Sequence, residues 1–268
     1  MTDTFADGSF LVSRLGVTAR IEDEQLVLAL EPRAEVLHHG MVRASVLSFL
    51  VDAVAGVVVD EDPDQWALTS DMSVRMRPRR APRHIEATGR VLRRGRRSAT
   101  SVVELTADGG EPLATGAIGF TKIARRETDP PKPRLTPRTF AALFGRLGDL
   151  PRPLREEAGI EVVDPAEGVV EVTVTPQLRN PAGTLQGAMV ALVAEAAAED
   201  LVSTRFESPM VVTDLDLRYL AQAREGVVRT RCRLLGSDPD SPVEVELVDT
   251  GMGRVTTLVY ARTAAAVA

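Results

Sequence analysis

Residues 36–52 read VLHHGMVRASVLSFLVD, and residues 179–195 read RNPAGTLQGAMVALVAE. The two stretches are degenerate copies: Gly40 answers Gly183 and Asp52 answers Glu195, at one offset of 143 positions. Carried outward, the offset holds without a gap between residues 16–75 and 159–218. Gly16 answers Gly159, Asp71 answers Asp214 and Arg75 answers Arg218. A repeat of this length is one supersecondary unit used twice. Each copy is thereby a reference for the other, and a polar residue can be weighed by whether its sister position kept it.

The units share an internal order. An alternating strand opens each, over Gln25–Glu31 and Val169–Thr175. A glycine-containing loop leads into an apolar helix, over Val42–Val59 and Gly187–Val202. Four strands follow in the first unit: Leu68–Arg77, Arg83–Arg93, Ala99–Thr106 and Leu113–Ile123. The second unit's are Met210–Leu220, Gly226–Leu234, Val243–Val248 and Arg254–Arg262. One helix and a run of strands, without alternating helices, is α+β rather than parallel α/β. Because the helix is apolar around most of its circumference, a curved antiparallel sheet should engulf it. Residues 125–137, RRETDPPKPRLTP, are rich in proline and charge and read as a linker. The expected domains are therefore 1–125 and 138–268, joined by a Pro-rich linker at 126–137, with a short helix near 139–147.

Composition narrows the functional classes. The 44% hydrophobic and 26% charged shares fit a globular protein, and no apolar run reaches the length needed to span a bilayer. The first ten residues, MTDTFADGSF, lack the basic and apolar regions of a signal peptide. Cys232 is the single cysteine, so neither a disulfide framework nor a thiolate metal site is expected. These features suggest a cytoplasmic protein with no membrane partner, and the net charge of −6 argues against a general nucleic-acid binder. His38 and His39 have no carboxylate at ligand spacing, so no metal is expected.

The helix entries carry the chemistry. Asp52 lies among apolar helix residues, where an ionised carboxylate is costly without partners or a task. A helix N-terminus offers unpaired N–H groups and a positive dipole end, and Gly187 would let a carbonyl approach them. Asn180 carries an amide that can orient a water or a carbonyl. Taken singly, Asn180-Pro-Ala-Gly183 also reads as a turn, Gly187 as a packing glycine and Asp52 as a solvated helix residue. Their joint spacing favours a site. Glu195 is less distinctive, since Glu199 and Asp200 follow it and are expected to face solvent.

At this point the chain resembles the hotdog-fold acyl-CoA thioesterases, those of the phenylacetate-pathway type among them. Their helix entry looks like N-x-x-G-x-x-H-G-G, with an acid nine residues after the His. The second copy matches with Gln186 in the His place and Ala188 for the last Gly. The first matches only in Gly40 and Asp52, with Leu37, Arg43 and Ala44 elsewhere. The resemblance implies a tandem hotdog, two antiparallel sheets each wrapped around a central helix, joined as an intrachain pseudo-dimer. It implies composite sites, with amide and glycine from one unit and acid and hydroxyl from the other.

One composite site then holds Asn180, Gln186 and Gly187 with Asp52 and Thr69. The other holds Leu37, Arg43 and Ala44 with Glu195 and Val212, a degenerate site keeping only its acid. The expected activity is hydrolysis of an acyl-CoA thioester, with Asp52 as general base or nucleophile; the alternative is a non-catalytic acyl-CoA-binding or regulatory protein. A dehydratase of the same fold would want an Asp and His pair at the helix entry, which is lacking. No cofactor is expected beyond the coenzyme A of the substrate. Its phosphates would suit Arg93, Arg94, Arg96 and Arg97, or the run Arg75, Arg77, Arg79 and Arg80, although loop arginines are commonly just solvated. A homo-oligomer of the fused pair is expected.

Overall fold

The computed structural model describes residues 10–60, 62–129, 132, 136–141 and 149–267. Strands β1 (Val17–Glu22) and β2 (Gln25–Leu30) form a hairpin, and β3 (Leu37–His38) with β4 (Met41–Val42) forms a small ribbon before helix α1 (Ala44–Val59). Strands β5 (Gln65–Met76), β6 (Ile85–Arg94), β7 (Ser98–Ala107) and β8 (Glu111–Ala124) follow. Short helices α2 (Pro137–Ala141) and α3 (Leu154–Glu157) lead to β9 (Glu161–Asp164) and β10 (Val169–Thr173). Helix α4 (Gly187–Phe206) precedes β11 (Met210–Tyr219), β12 (Val227–Leu234), β13 (Val243–Asp249) and β14 (Arg254–Ala265). No described helix is long and apolar enough to cross a membrane.

The two units share one sheet. Twelve strands run in the order β1-β2-β6-β7-β8-β5-β11-β14-β13-β12-β10-β9, every pair antiparallel. The halves merge where β5 pairs with β11, because each would otherwise end in an open strand edge. Consecutive strands are not always neighbours: β5 lies beside β8 and β11, while β6 pairs with β2 and β7. At the seam Ser73 faces Asp216, residues that are themselves 143 positions apart, so the register is symmetric about that pair. Arg75 ties the seam through Asp214 at 3.2 Å and Asp216 at 3.2 Å. That run of arginine is thus partly structural.

The helices follow the sequence with small shifts. Helix α1 begins at Ala44 rather than Val42, since Val42 is held in the ribbon by Leu37. Gly40 and Gly183 have φ of +76° and +77°, so both copies enter their helix through the same left-handed turn. Helix α4 runs four residues beyond the expected Val202. Both helices are buried over most of their length, α1 against β5–β8 and α4 against β10–β14, and they touch each other. Gly116 on β8 lets α1 approach closely, since a Cβ there would come within 2.4 Å of Val51. Of the helix expected near 139–147, residues 142–147 lie outside the described residues, as does part of the expected linker.

Candidate active site

Asp52 is on the third turn of α1, and both its oxygens are held. Thr69 Oγ1 donates to Oδ1 at 2.8 Å, and Gln186 Nε2 donates to Oδ2 at 3.3 Å. Thr69 reaches it because β5 bulges between Thr69 and Asp71, re-aiming the side chain. Gln186 has its amide orientation fixed from the other end: Oε1 accepts from the Ala188 N–H at 2.6 Å and the Met189 N–H at 3.2 Å, capping α4. Burial raises the Asp52 pKa above its ordinary value, against the Thr69 hydrogen bond, which lowers it.

Gly187 opens α4 directly opposite. A Cβ at this position would lie 3.2 Å from the Tyr219 hydroxyl and 3.5 Å from Asp52 Oδ2. A side chain here would crowd the Tyr219 hydroxyl and narrow the space beside the carboxylate, which the glycine leaves open. The Gly187 N–H, an orphan donor of the first helical turn, has no acceptor among the described residues. Tyr219 donates to the Gly187 carbonyl at 3.1 Å, and burial together with Asp52 holds its pKa well above the usual phenol value. Tyr219 escaped sequence reasoning because its counterpart in the first copy is Met76, so the repeat gives no signal there. Asn180 spends its Oδ1 on the Thr184 N–H and hydroxyl, both at 3.2 Å, which leaves Nδ2 as the group that can act.

Two cavities meet at this point, sharing Asp52, Leu68, Thr69 and Asn180. One, of about 200 Å³, runs beneath Phe49, Ala53, Val57, Trp66 and Phe120. The other, of about 320 Å³, is lined by Gly187 and Tyr219 with Ser70, Thr121, Gln222 and Thr257. The first is walled by aliphatic and aromatic side chains; the second carries many hydroxyls.

No protein-family model matches the sequence, and neither does any curated protein. Solved structures do. The chain is similar to an acyl-ACP thioesterase from Bacteroides thetaiotaomicron, with a TM-score of 0.61 and 12% identity over 89% of this chain and 97% of that one. It is equally similar to the tesB protein of Mycobacterium avium subsp. paratuberculosis, at 0.61 and 12% over 94% and 96%. A conserved protein with a hot dog fold from Alicyclobacillus acidocaldarius matches at 0.53 and 14% over the whole of both chains. The fold is the hotdog fold. At such identities the likeness speaks to architecture, and the site has to stand on its own geometry.

The second helix entry of this hotdog chain is closed. Ala44, the counterpart of Gly187, donates its N–H to Glu195 Oε1 at 2.7 Å, and Ser45 donates to Oε2 at 2.5 Å. The longer acid thus occupies the helix-end donor that the shorter Asp52 leaves free. Arg43 NH1 sits 3.7 Å from Glu195 and 3.1 Å from Glu199. His38 Nε2 lies 3.3 Å from Glu199, whose Oε1 accepts from the Val212 N–H at 3.2 Å. This corrects the expectation that Glu199 faces solvent: it is 2% exposed, and Glu195 is 0%. Asp200 is half-buried and paired with Arg155 rather than solvated. Burial and the neighbouring Glu195 lift Glu199 to a pKa of about 8, and burial lowers His38 to about 3.

The arginine run falls at the β6–β7 turn. Arg93, Arg94, Arg96 and Arg97 are exposed and line neither cavity. Arg94 donates to the Val58 carbonyl at the C-terminal end of α1. The Arg97 carbonyl accepts from the Lys122 N–H, next to Thr121 of the second cavity, which puts that end of the turn beside the cavity rim.

Proposed function

We propose that the chain hydrolyses acyl thioesters, acyl-CoA foremost, at a single site made by both halves acting as an internal pseudo-dimer. One observation carries the reading: Asp52 and the N-terminal glycine of α4, whose N–H has no acceptor among the described residues, lie side by side where two cavities meet, with Asp52 Oδ2 3.5 Å from the place of a Cβ at Gly187. The thioester carbon sits in that gap, with the acyl chain in the apolar cavity and the thiol arm in the hydroxyl-lined one. The carbonyl oxygen accepts from the Gly187 N–H at the positive end of α4, where a preorganised donor stabilises the developing oxyanion. Asp52 takes a proton from a water oriented by Asn180 Nδ2, and the resulting hydroxide adds to the carbonyl. Collapse breaks the C–S bond, and the proton on Asp52 passes to the leaving thiolate. Gln186 and Thr69 hold the carboxylate in place; Gln186, a neutral amide, shuttles no proton.

Coenzyme A phosphates would be met by the exposed arginines of the β6–β7 turn, Arg93, Arg94, Arg96 and Arg97. The test is release of free thiol from a panel of acyl-CoA thioesters, wild type against Asp52→Asn. The expected loss is at least about 10²-fold, the lower end of general-base effects. Binding of acyl-CoA without thiol release would instead favour a non-catalytic acyl-CoA-binding protein. Single-turnover labelling with heavy-oxygen water separates the two roles of Asp52: label entering the carboxylate would mean nucleophilic attack through an anhydride.

A further inference from the structure

The apolar cavity follows one face of α1. It is lined by Phe49, Asp52, Ala53, Gly56 and Val57 of the helix and by Asp60 at its C-cap, spaced as a stripe on one side. Along the helix its lining runs from Phe49 and Asp52 to Asp60 and Trp66. Eight residues of helix separate the two carboxylates, a rise of about 12 Å. Midway, Gly56 has no atom within 4 Å of where a Cβ would project, so the glycine opens onto empty space.

The other half supplies an internal control. Glu199 is the counterpart of Gly56 at the offset of 143, and Arg43 that of Gln186. They fill the corresponding space with side chains that are almost wholly buried, Arg43 at 5% and Glu199 at 2%, and the partly buried His38 packs beside them. One half thus has a groove where the other has an ion cluster, and the Gly56/Glu199 difference marks it. At the far end, Asp60 accepts from Lys132 Nζ at 2.8 Å and from the Ala67 N–H at 2.7 Å. That charged pair stops the apolar lining.

Resting on the hydrolase reading above, we propose that this groove measures the acyl chain and selects medium-length straight chains. The span from Asp52 to Asp60 fits about eight to ten carbons. A shorter chain leaves aromatic surface uncovered, and a longer one must push methylenes against Asp60 and Lys132.

The experiment is a chain-length series from acetyl-CoA to palmitoyl-CoA, read as kcat/KM for the wild type and for Gly56→Leu. The wild type should peak near octanoyl-CoA. A leucine at 56 blocks the groove about 6 Å beyond Asp52, so the octanoyl-to-butyryl ratio should fall at least about tenfold, each buried methylene being worth about fourfold. A flat wild-type profile, or a ratio that Gly56→Leu does not change, overturns the groove. If Gly56→Leu loses its fold by circular dichroism, Gly56→Ala gives the same reading with a smaller shift. Should no thioester of any length be hydrolysed, the hydrolase reading falls and the groove is judged by calorimetric binding. Tighter binding of octanoyl-CoA than acetyl-CoA that Gly56→Leu erases supports it; equal binding overturns it.

Discussion

Asp52 and Glu195 differ by one methylene, and that methylene decides which helix end is free. Glu195 accepts from the Ala44 N–H, while Asp52 bonds Thr69 and Gln186 and makes no hydrogen bond to the Gly187 N–H. Glu195→Gln should therefore leave turnover nearly unchanged where Asp52→Asn abolishes it; rates measured side by side check this, and the reverse ranking would put the working site in the wrong half. Thr69 belongs to the same scale. Its hydrogen bond lowers the Asp52 pKa while burial raises it. A general base acts only when deprotonated, so activity is lost as pH falls through that raised value. Thr69→Ala removes the lowering contribution, and the acid limb of the kcat/KM profile should move to higher pH. A limb that stays in place would show that the hydroxyl does not bond the carboxylate in solution.

At the scale of elements, the entry of α1 is a buried ion cluster rather than a site. One guanidinium serves two carboxylates, Glu195 and Glu199, so charge balance favours retaining a proton on Glu199, in line with its raised pKa. Removing one member of a buried pair typically costs about 3–5 kcal/mol because a charge is left uncompensated. Arg43→Ala should lower the urea midpoint accordingly. The loss should be larger at pH 8 than at pH 5, where protonation relieves the carboxylates. An unchanged midpoint at pH 8 would mean that the cluster contributes nothing to holding α1 against α4.

For the whole molecule the cluster sets a pH dependence of stability. Glu199 has a folded pKa of about 8 against an ordinary 4.5, so the folded state holds a proton that the unfolded state lacks between those values. Stability therefore falls as pH rises through that window, by at most about 1.4 kcal/mol per unit. His38 has a folded value of about 3 against 6.5, so the unfolded state gains the proton first and stability falls as pH drops from 6.5 toward 3. Between about 4.5 and 6.5 the two oppose each other, and the stability maximum should lie there. Urea midpoints at pH 4, 5.5 and 8 test this. Glu199→Gln should flatten the alkaline side, and a slope that survives it would assign the effect to another group.

The sequence by itself determined the internal repeat, the α+β class and the apolar helices, while the pairing of Asp52 and Thr69 with Gln186 and Gly187 came from the resemblance to hotdog thioesterases. It could do so because the repeat offset is gap-free and because the glycine before each helix and the acid within it recur at fixed spacing. Gly40 and Gly183, with matching left-handed turns, show how faithfully the local code carries over. The tertiary structure alone decided what depends on distance across the two copies. It fused the sheets at Ser73 and Asp216, buried Glu199, brought Tyr219 to the Gly187 carbonyl and opened a groove at Gly56. None of these is periodic in the chain. Each arises where side chains from opposite halves compete for the same small volume, and only their packed positions say which of them fills it.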